Sequence, residues 1–118
     1  GPSALFDKDI GTVTTKLIRG NPCYLVRVFV TNVNAAVRYF NIHDRAMLPL
    51  ATNIPTGQGL SLPIPAGTVN NPGVLSVELG ETHYMTVGLA WSISTAVNVF
   101  TDSATNTEHS VHLWYALA

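Results

Sequence analysis

His43, Asp44 and Arg45 stand side by side in VRYFNIHDRAMLP, residues 37 to 49, in a chain where only 11% of residues are charged. A histidine beside a carboxylate could run a proton relay, and with further donors it could hold a metal ion. The surrounding pattern works against both. Along a strand, neighbouring side chains point to opposite faces, so His43 and Asp44 converge only where the strand has already ended. The run is therefore expected to leave the core through a polar turn. Asp44 would accept backbone hydrogen bonds there, and Arg45 would pair with it at the surface.

The other candidates for chemistry are dispersed. His109 and His112 have an H-x-x-H spacing that shares a face on a helix but splits across two faces on a strand. His83 lies far from them, so a metal site is not expected unless subunits build it together. The seven acids, Asp7, Asp9, Asp44, Glu78, Glu81, Asp102 and Glu108, are explained as surface and turn residues. There is no G-x-S-x-G elbow, and Thr56-Gly57-Gln58-Gly59 lacks the lysine and following helix of a phosphate loop. No catalytic, metal-binding or cofactor-binding residue is assigned, and no enzymatic activity is expected. Trp91, Trp114 and Tyr115, with Tyr39 and Tyr84, are the remaining candidates, either as a sugar-stacking platform or as core and subunit-interface side chains. Their alternating strand positions favour the second.

The elements that carry these residues are strands. In CYLVRVFVTN, residues 23 to 32, Tyr24, Val26, Val28 and Val30 alternate with Leu25, Arg27, Phe29 and Thr31. An Asn-containing break leads to a second run over 36 to 43, which together read as a hairpin. GLSLPIPAG suits an edge strand, because Pro63 and Pro65 cannot donate to a ladder. A turn at Asn70-Asn71-Pro72-Gly73 precedes Leu75, Val77 and Leu79, and a further turn is expected at Gly80-Glu81. HYMTVGLAWSIS, residues 83 to 94, reads as one strand, with Gly88 and Ala90 leaving room for a close approach. VNVF at 97 to 100 and HSVHLWYAL follow, and IGTVTTKLI, residues 10 to 18, is weaker. Seven to nine short strands without a long helix predict an all-β fold, an antiparallel sandwich of jelly-roll type.

Composition sets the bounds. With 47% hydrophobic residues, nine glycines and seven prolines, the chain suits one folded β domain, taken as residues 21–118. Residues 4–20 are expected to form an N-terminal arm or a first strand. Gly1-Pro2-Ser3 reads as the remnant of a cleaved purification tag. The net charge of −1 and the six scattered basic residues argue against nucleic acid as a partner. No apolar run approaches the roughly 20 residues of a membrane-spanning helix, and no membrane partner is expected. The single cysteine, Cys23, reads as a small apolar core residue. Strands apolar on both faces carry more apolar surface than one core needs, which points to burial in a homo-oligomer or against a partner.

The run AAVRYFNIHDRAMLP, then LSLPIPAG, GLAWSIS and a terminal VHLWY, resembles a family of small tailed-phage and prophage virion proteins in order and spacing over roughly residues 23 to 116. Leu50 to Pro55 departs from that pattern, and a loop of the family is only echoed by Thr101-Asp102-Ser103. The resemblance implies a capsid-decorating or head-surface protein, β-rich, homo-oligomeric and often trimeric. It would bind a major capsid protein or another virion protein in the virion, after assembly in the host cytoplasm. A carbohydrate- or receptor-binding module of a tail or head fibre, using Trp91 or Trp114, is the alternative of a different class; a hydrolase is the third.

Overall fold

The computed structural model describes residues 4–102 and 106–118. The expected tag remnant and Ser103 of the echoed loop lie outside the described residues. Among the described residues eight strands run in order: β1 (Leu5–Ile10), β2 (Thr15–Arg19), β3 (Cys23–Asn32), β4 (Arg38–His43), β5 (Leu60–Ile64), β6 (Gly73–Met85), β7 (Leu89–Ser94) and β8 (His109–Leu117). They form two four-stranded antiparallel sheets ordered β1-β8-β3-β6 and β2-β7-β4-β5.

This order has a simple origin. The first strand pairs with the last, β2 with β7, β3 with β6 and β4 with β5, so the chain is one long antiparallel ribbon. Wrapping it sends successive pairs to alternate sheets, and the remaining contacts, β8 with β3 and β7 with β4, close each sheet. The result is the two-sheet jelly roll expected from the strand spacing. Leu25, Val28, Val30 and Leu113 of one sheet meet Phe40, Ile42, Trp91 and Ile93 of the other, all fully buried. Phe40 and Trp91 pack with ring centroids 5.8 Å apart.

Several element boundaries differ from expectation, each for a local reason. The alternation of β3 does not run unbroken: the ladder shifts between Leu25 and Arg27. Cys23 and Leu25 point inward before that bulge, and Val28, Val30 and Asn32 after it, so Val26 does not share a face with Val28. The expected turn at Gly80-Glu81 lies within β6; Gly80, at φ 62°, lets the strand bulge there and continue to Met85. Residues 83 to 94 are not one strand, because Thr86 to Gly88 carry the chain from the first sheet to the second. Val97 to Phe100 are a loop rather than a strand, with Asn98 in the left-handed region at φ 62°.

Residues 10 to 18 are split in the same way. The buried Asp9 carboxylate accepts the Thr12 and Val13 amides, each at 3.3 Å, and the Thr12 hydroxyl, which ends β1 and turns the chain towards β2. The N-terminal segment thus supplies an edge strand to each sheet. β5 is also an edge strand, as its Pro63 requires.

Candidate functional site

The polar triplet lies at the end of the sandwich where β4, the β6–β7 connection and the loop after β4 meet. Asp44 is 5% exposed, and its carboxylate is saturated. One oxygen accepts the amides of Gln58 (3.2 Å) and Thr86 (3.1 Å) and the Thr86 hydroxyl (2.8 Å). The other accepts the amides of Val87 (2.8 Å) and Gly88 (3.3 Å). These hydrogen bonds outweigh the opposing effect of burial and hold the Asp44 carboxyl below its ordinary range. Arg45 is not its partner; the Arg45 guanidinium donates to the side-chain oxygen of Asn53, which also accepts the Leu50 amide at 2.7 Å. The surface pair expected from adjacency fails because five nearer donors already occupy Asp44.

His43 follows β4 register onto the outer face of its sheet, where the loop covers it to 1% exposure. Its Nε2 lies 2.9 Å from the Ser92 hydroxyl. Burial first, and the Arg45 charge second, push the imidazole down to about 4, so it is neutral at physiological pH. Ser92 and Asn41 share this face, with Asn41 accepting the Ser61 hydroxyl at 2.6 Å. Ser94 there donates to the Val99 carbonyl (2.7 Å) and accepts the Thr101 amide (2.8 Å). Phe100, 4% exposed, exchanges backbone hydrogen bonds with Thr52 and Asn53, both 2.8 Å, which ties the two covering loops together. Sequence alternation places these polar side chains on an outer face but cannot reveal that loops bury them.

His43, Asp44, Arg45, Met47, Ile54 and Val87 line a pocket of about 320 Å³. Its polar walls are committed to the fold as described, while Met47, Ile54 and Val87 are 49–66% exposed at its rim. The pocket offers a neutral imidazole, a saturated carboxylate and apolar side chains, which suits an apolar group better than a reacting one. His43 also makes stability depend on pH. An unfolded chain takes up a proton near pH 6.5, whereas the folded one resists until about pH 4. Protons therefore favour unfolding across that window. Stability is expected to be fully present above pH 6.5 and to fall by roughly 3 kcal/mol towards pH 4. Urea midpoints measured across that range should show the slope, and His43→Asn should flatten it; an unchanged slope in the variant would remove His43 as its source.

Among the described residues, nothing covers the other sheet in this way. Across its outer face, register aligns Phe6, Trp114, Arg27 and Glu78 in one row and Lys8, His112, Phe29 and Ser76 in the next. The Arg27 guanidinium sits 4.9 Å from the Trp114 ring centroid, and Phe6 lies 4.9 Å from it on the neighbouring strand. His112 packs between Phe6 (6.1 Å) and Phe29 (5.9 Å). Phe6 is 50% exposed, Ile10 58% and Val74 44%. Of the aromatic candidates, Trp91 is wholly inside the sandwich, which removes it as a sugar platform. Tyr115 is half-buried on the inner side, in register with Leu25, whereas Trp114 and Tyr84, the latter 39% exposed and 5.2 Å from Tyr24, belong to the open face; Tyr39 lies on β4 of the other sheet. Phe6, Arg27 and Phe29 are not among the candidates that the sequence singles out; their alternation with buried neighbours is the signal available for them.

His109 and His112 point to opposite faces of β8, as strand geometry demands, and His83 lies on β6 with its Nε2 2.7 Å from the Gln58 carbonyl. Among the described residues no three His, Cys, Asp or Glu side chains are grouped as a metal site would need. Burial pushes the Cys23 thiol up to about 11, which leaves it protonated and unreactive. Comparison of the chain with protein-family models, with curated proteins and with solved structures gives no match.

Proposed function

We propose that this chain is a non-enzymatic structural protein of a phage virion, a capsid decoration protein that binds the assembled shell and reinforces it. The observation that supports this reading is the uncovered face of the β1-β8-β3-β6 sheet, where aromatic side chains alternate with Lys8, Arg27 and His112. Aromatic and arginine side chains of this kind are what protein interfaces concentrate at their energetic centres. Repetition over a symmetric shell lets many modest contacts act together, and each contact formed only with the intact shell raises the cost of rupture. The sequence resemblance adds the virion, a homo-oligomer and a trimer as the expected count.

The alternative, a sugar-binding module, is less well served by the same face. A sugar needs an open aromatic face, but Trp114 lies in a row between Phe6 and Arg27, each with its centre 4.9 Å away. Mass spectrometry of purified virions is expected to find this chain, and its absence from them would sink the reading. In co-sedimentation with shells lacking the chain, Trp114→Ala is expected to weaken binding by about 30-fold, the equivalent of an energetic centre of roughly 2 kcal/mol. Its unfolding midpoint should change little. Unaltered shell binding together with loss of binding on a glycan array would transfer the role to the sugar reading.

A further inference from the structure

The two long sides of the sandwich are finished differently. On the β1/β2 side, inward-facing charges close the gap between the sheets: Asp7 faces the core beside Leu113, Lys16 beside Trp91, and the two form a 2.9 Å salt bridge. Inward charges on edge strands are a device that prevents further strand pairing. Among the described residues, the β5/β6 side carries no such clasp. Its inward-facing residues are Leu60 and Leu62 on β5 and Leu75, Val77 and Leu79 on β6, all apolar and only partly covered. β5 is blunted by Pro63, but β6 pairs with β3 alone, and its segment Gly73–Leu79 contains neither lysine nor proline.

We propose that this open side is the contact between two copies of the chain, made by antiparallel pairing of β6 with β6 of a second copy across a two-fold axis at Ser76. A free strand edge asks for another extended strand, and a two-fold contact requires a surface that complements itself. The sequence VLSVE has that property. With Ser76 opposite Ser76, Leu75 of each copy meets Val77 of the other on the inner side, and Val74 meets Glu78 outside. No like charges stand opposite each other. The pairing joins the two uncovered aromatic faces into one eight-stranded sheet and encloses the half-covered leucines. This inference is independent of the proposed shell partner, and it replaces the three-fold count implied by the resemblance with two.

Light scattering of the purified protein tests it, with an expected mass twice the 12.7 kDa of the chain. Val77→Lys, which copies the inward lysine of the opposite side, should halve that mass. Because this variant could also unfold the edge, Ser76→Cys provides an independent readout. Ser76 is exposed, and directly opposed strand residues bring their Cβ atoms within about 5 Å, so mild oxidation should link the two copies covalently. Buried Cys23 does not compete, and Ser110→Cys, two strands away on the same face, should not link. A mass of one or three chains, or a dimer that Ser76→Cys fails to link, overturns the inference. Neither result bears on whether virions contain the chain, which the mass spectrometry above decides separately.

Discussion

Asp44→Asn is expected to lower the unfolding free energy by about 3–5 kcal/mol, the scale of breaking a buried, fully paired charge. Each Asp44 oxygen accepts at least two N–H or O–H donors, so whichever one becomes an amide nitrogen turns donor against donor. The loss is structural in a specific way. Asp44 follows directly on β4, and its partners are the chain that crosses between the sheets, Thr86 to Gly88, and Gln58 at the far end of the covering loop. In the variant one oxygen remains an acceptor, but either the Gln58 and Thr86 amides or the Val87 and Gly88 amides lose theirs, and the hold on the crossing chain and on the loop over His43 is loosened. Urea unfolding followed by tryptophan fluorescence measures the effect, since Trp91 is wholly buried. A loss under about 1 kcal/mol would show that water can replace the carboxylate and that Asp44 does not hold the crossing.

The second large effect is expected at Gly88. A Cβ there would lie 2.4 Å from the Arg45 carbonyl oxygen and 2.7 Å from that of Arg19. Both obstacles are backbone, so no side-chain rotation relieves them, and Gly88→Ala is expected to cost about 3 kcal/mol or more. The crossing chain passes through this gap while the Gly88 amide donates to Asp44 at 3.3 Å. The two substitutions thus disturb one structure, and Asp44→Asn with Gly88→Ala should cost clearly less than the sum of the single losses. Strict additivity in the same urea measurements would mean that the sites act independently. Ala90→Gly, on the adjoining strand, serves as a control for backbone loosening alone.

How much of this was legible in the sequence follows from what each signal measures. Alternation reports which side chains share a face, and it gave the inward faces of β4, β5 and β8 correctly, with Pro63 putting β5 at an edge; it misread β3 and β4 as a hairpin, because alternation does not record that β4 crosses to the other sheet. The sequence also marks Gly88 as a point of close approach, and the Arg45 and Arg19 carbonyls fill that gap. Its failures occur where backbone geometry changes without a change in hydrophobic pattern. The bulge after Leu25 adds a residue that looks like one more β-branched position, so the apparent face of Val26 is wrong. Gly80 is read as a turn because glycine permits both a turn and a bulge; the β3 ladder resuming at His83 decides between them. Met85 and Leu89 look continuous because both are core residues, although they belong to different sheets.

For the candidate site, adjacency was a poor guide in one direction and a good one in the other. It separated His43 from Asp44 correctly, since they act on different partners, Ser92 and the β6–β7 crossing. It paired Asp44 with Arg45 incorrectly, because the donors that saturate Asp44 come from 14 to 44 positions away. By itself the sequence determined an all-β domain of short antiparallel strands, the faces of most of them and a deficit of charge that leaves apolar surface to cover. Those properties are local, set by a two-residue period and by the backbone demands of proline and glycine. Only the tertiary structure decided that loops bury one outer face while the other stays open, and that charge closes one long side of the sandwich while the other remains apolar. These depend on which distant segments meet when the ribbon wraps, and no local period records that.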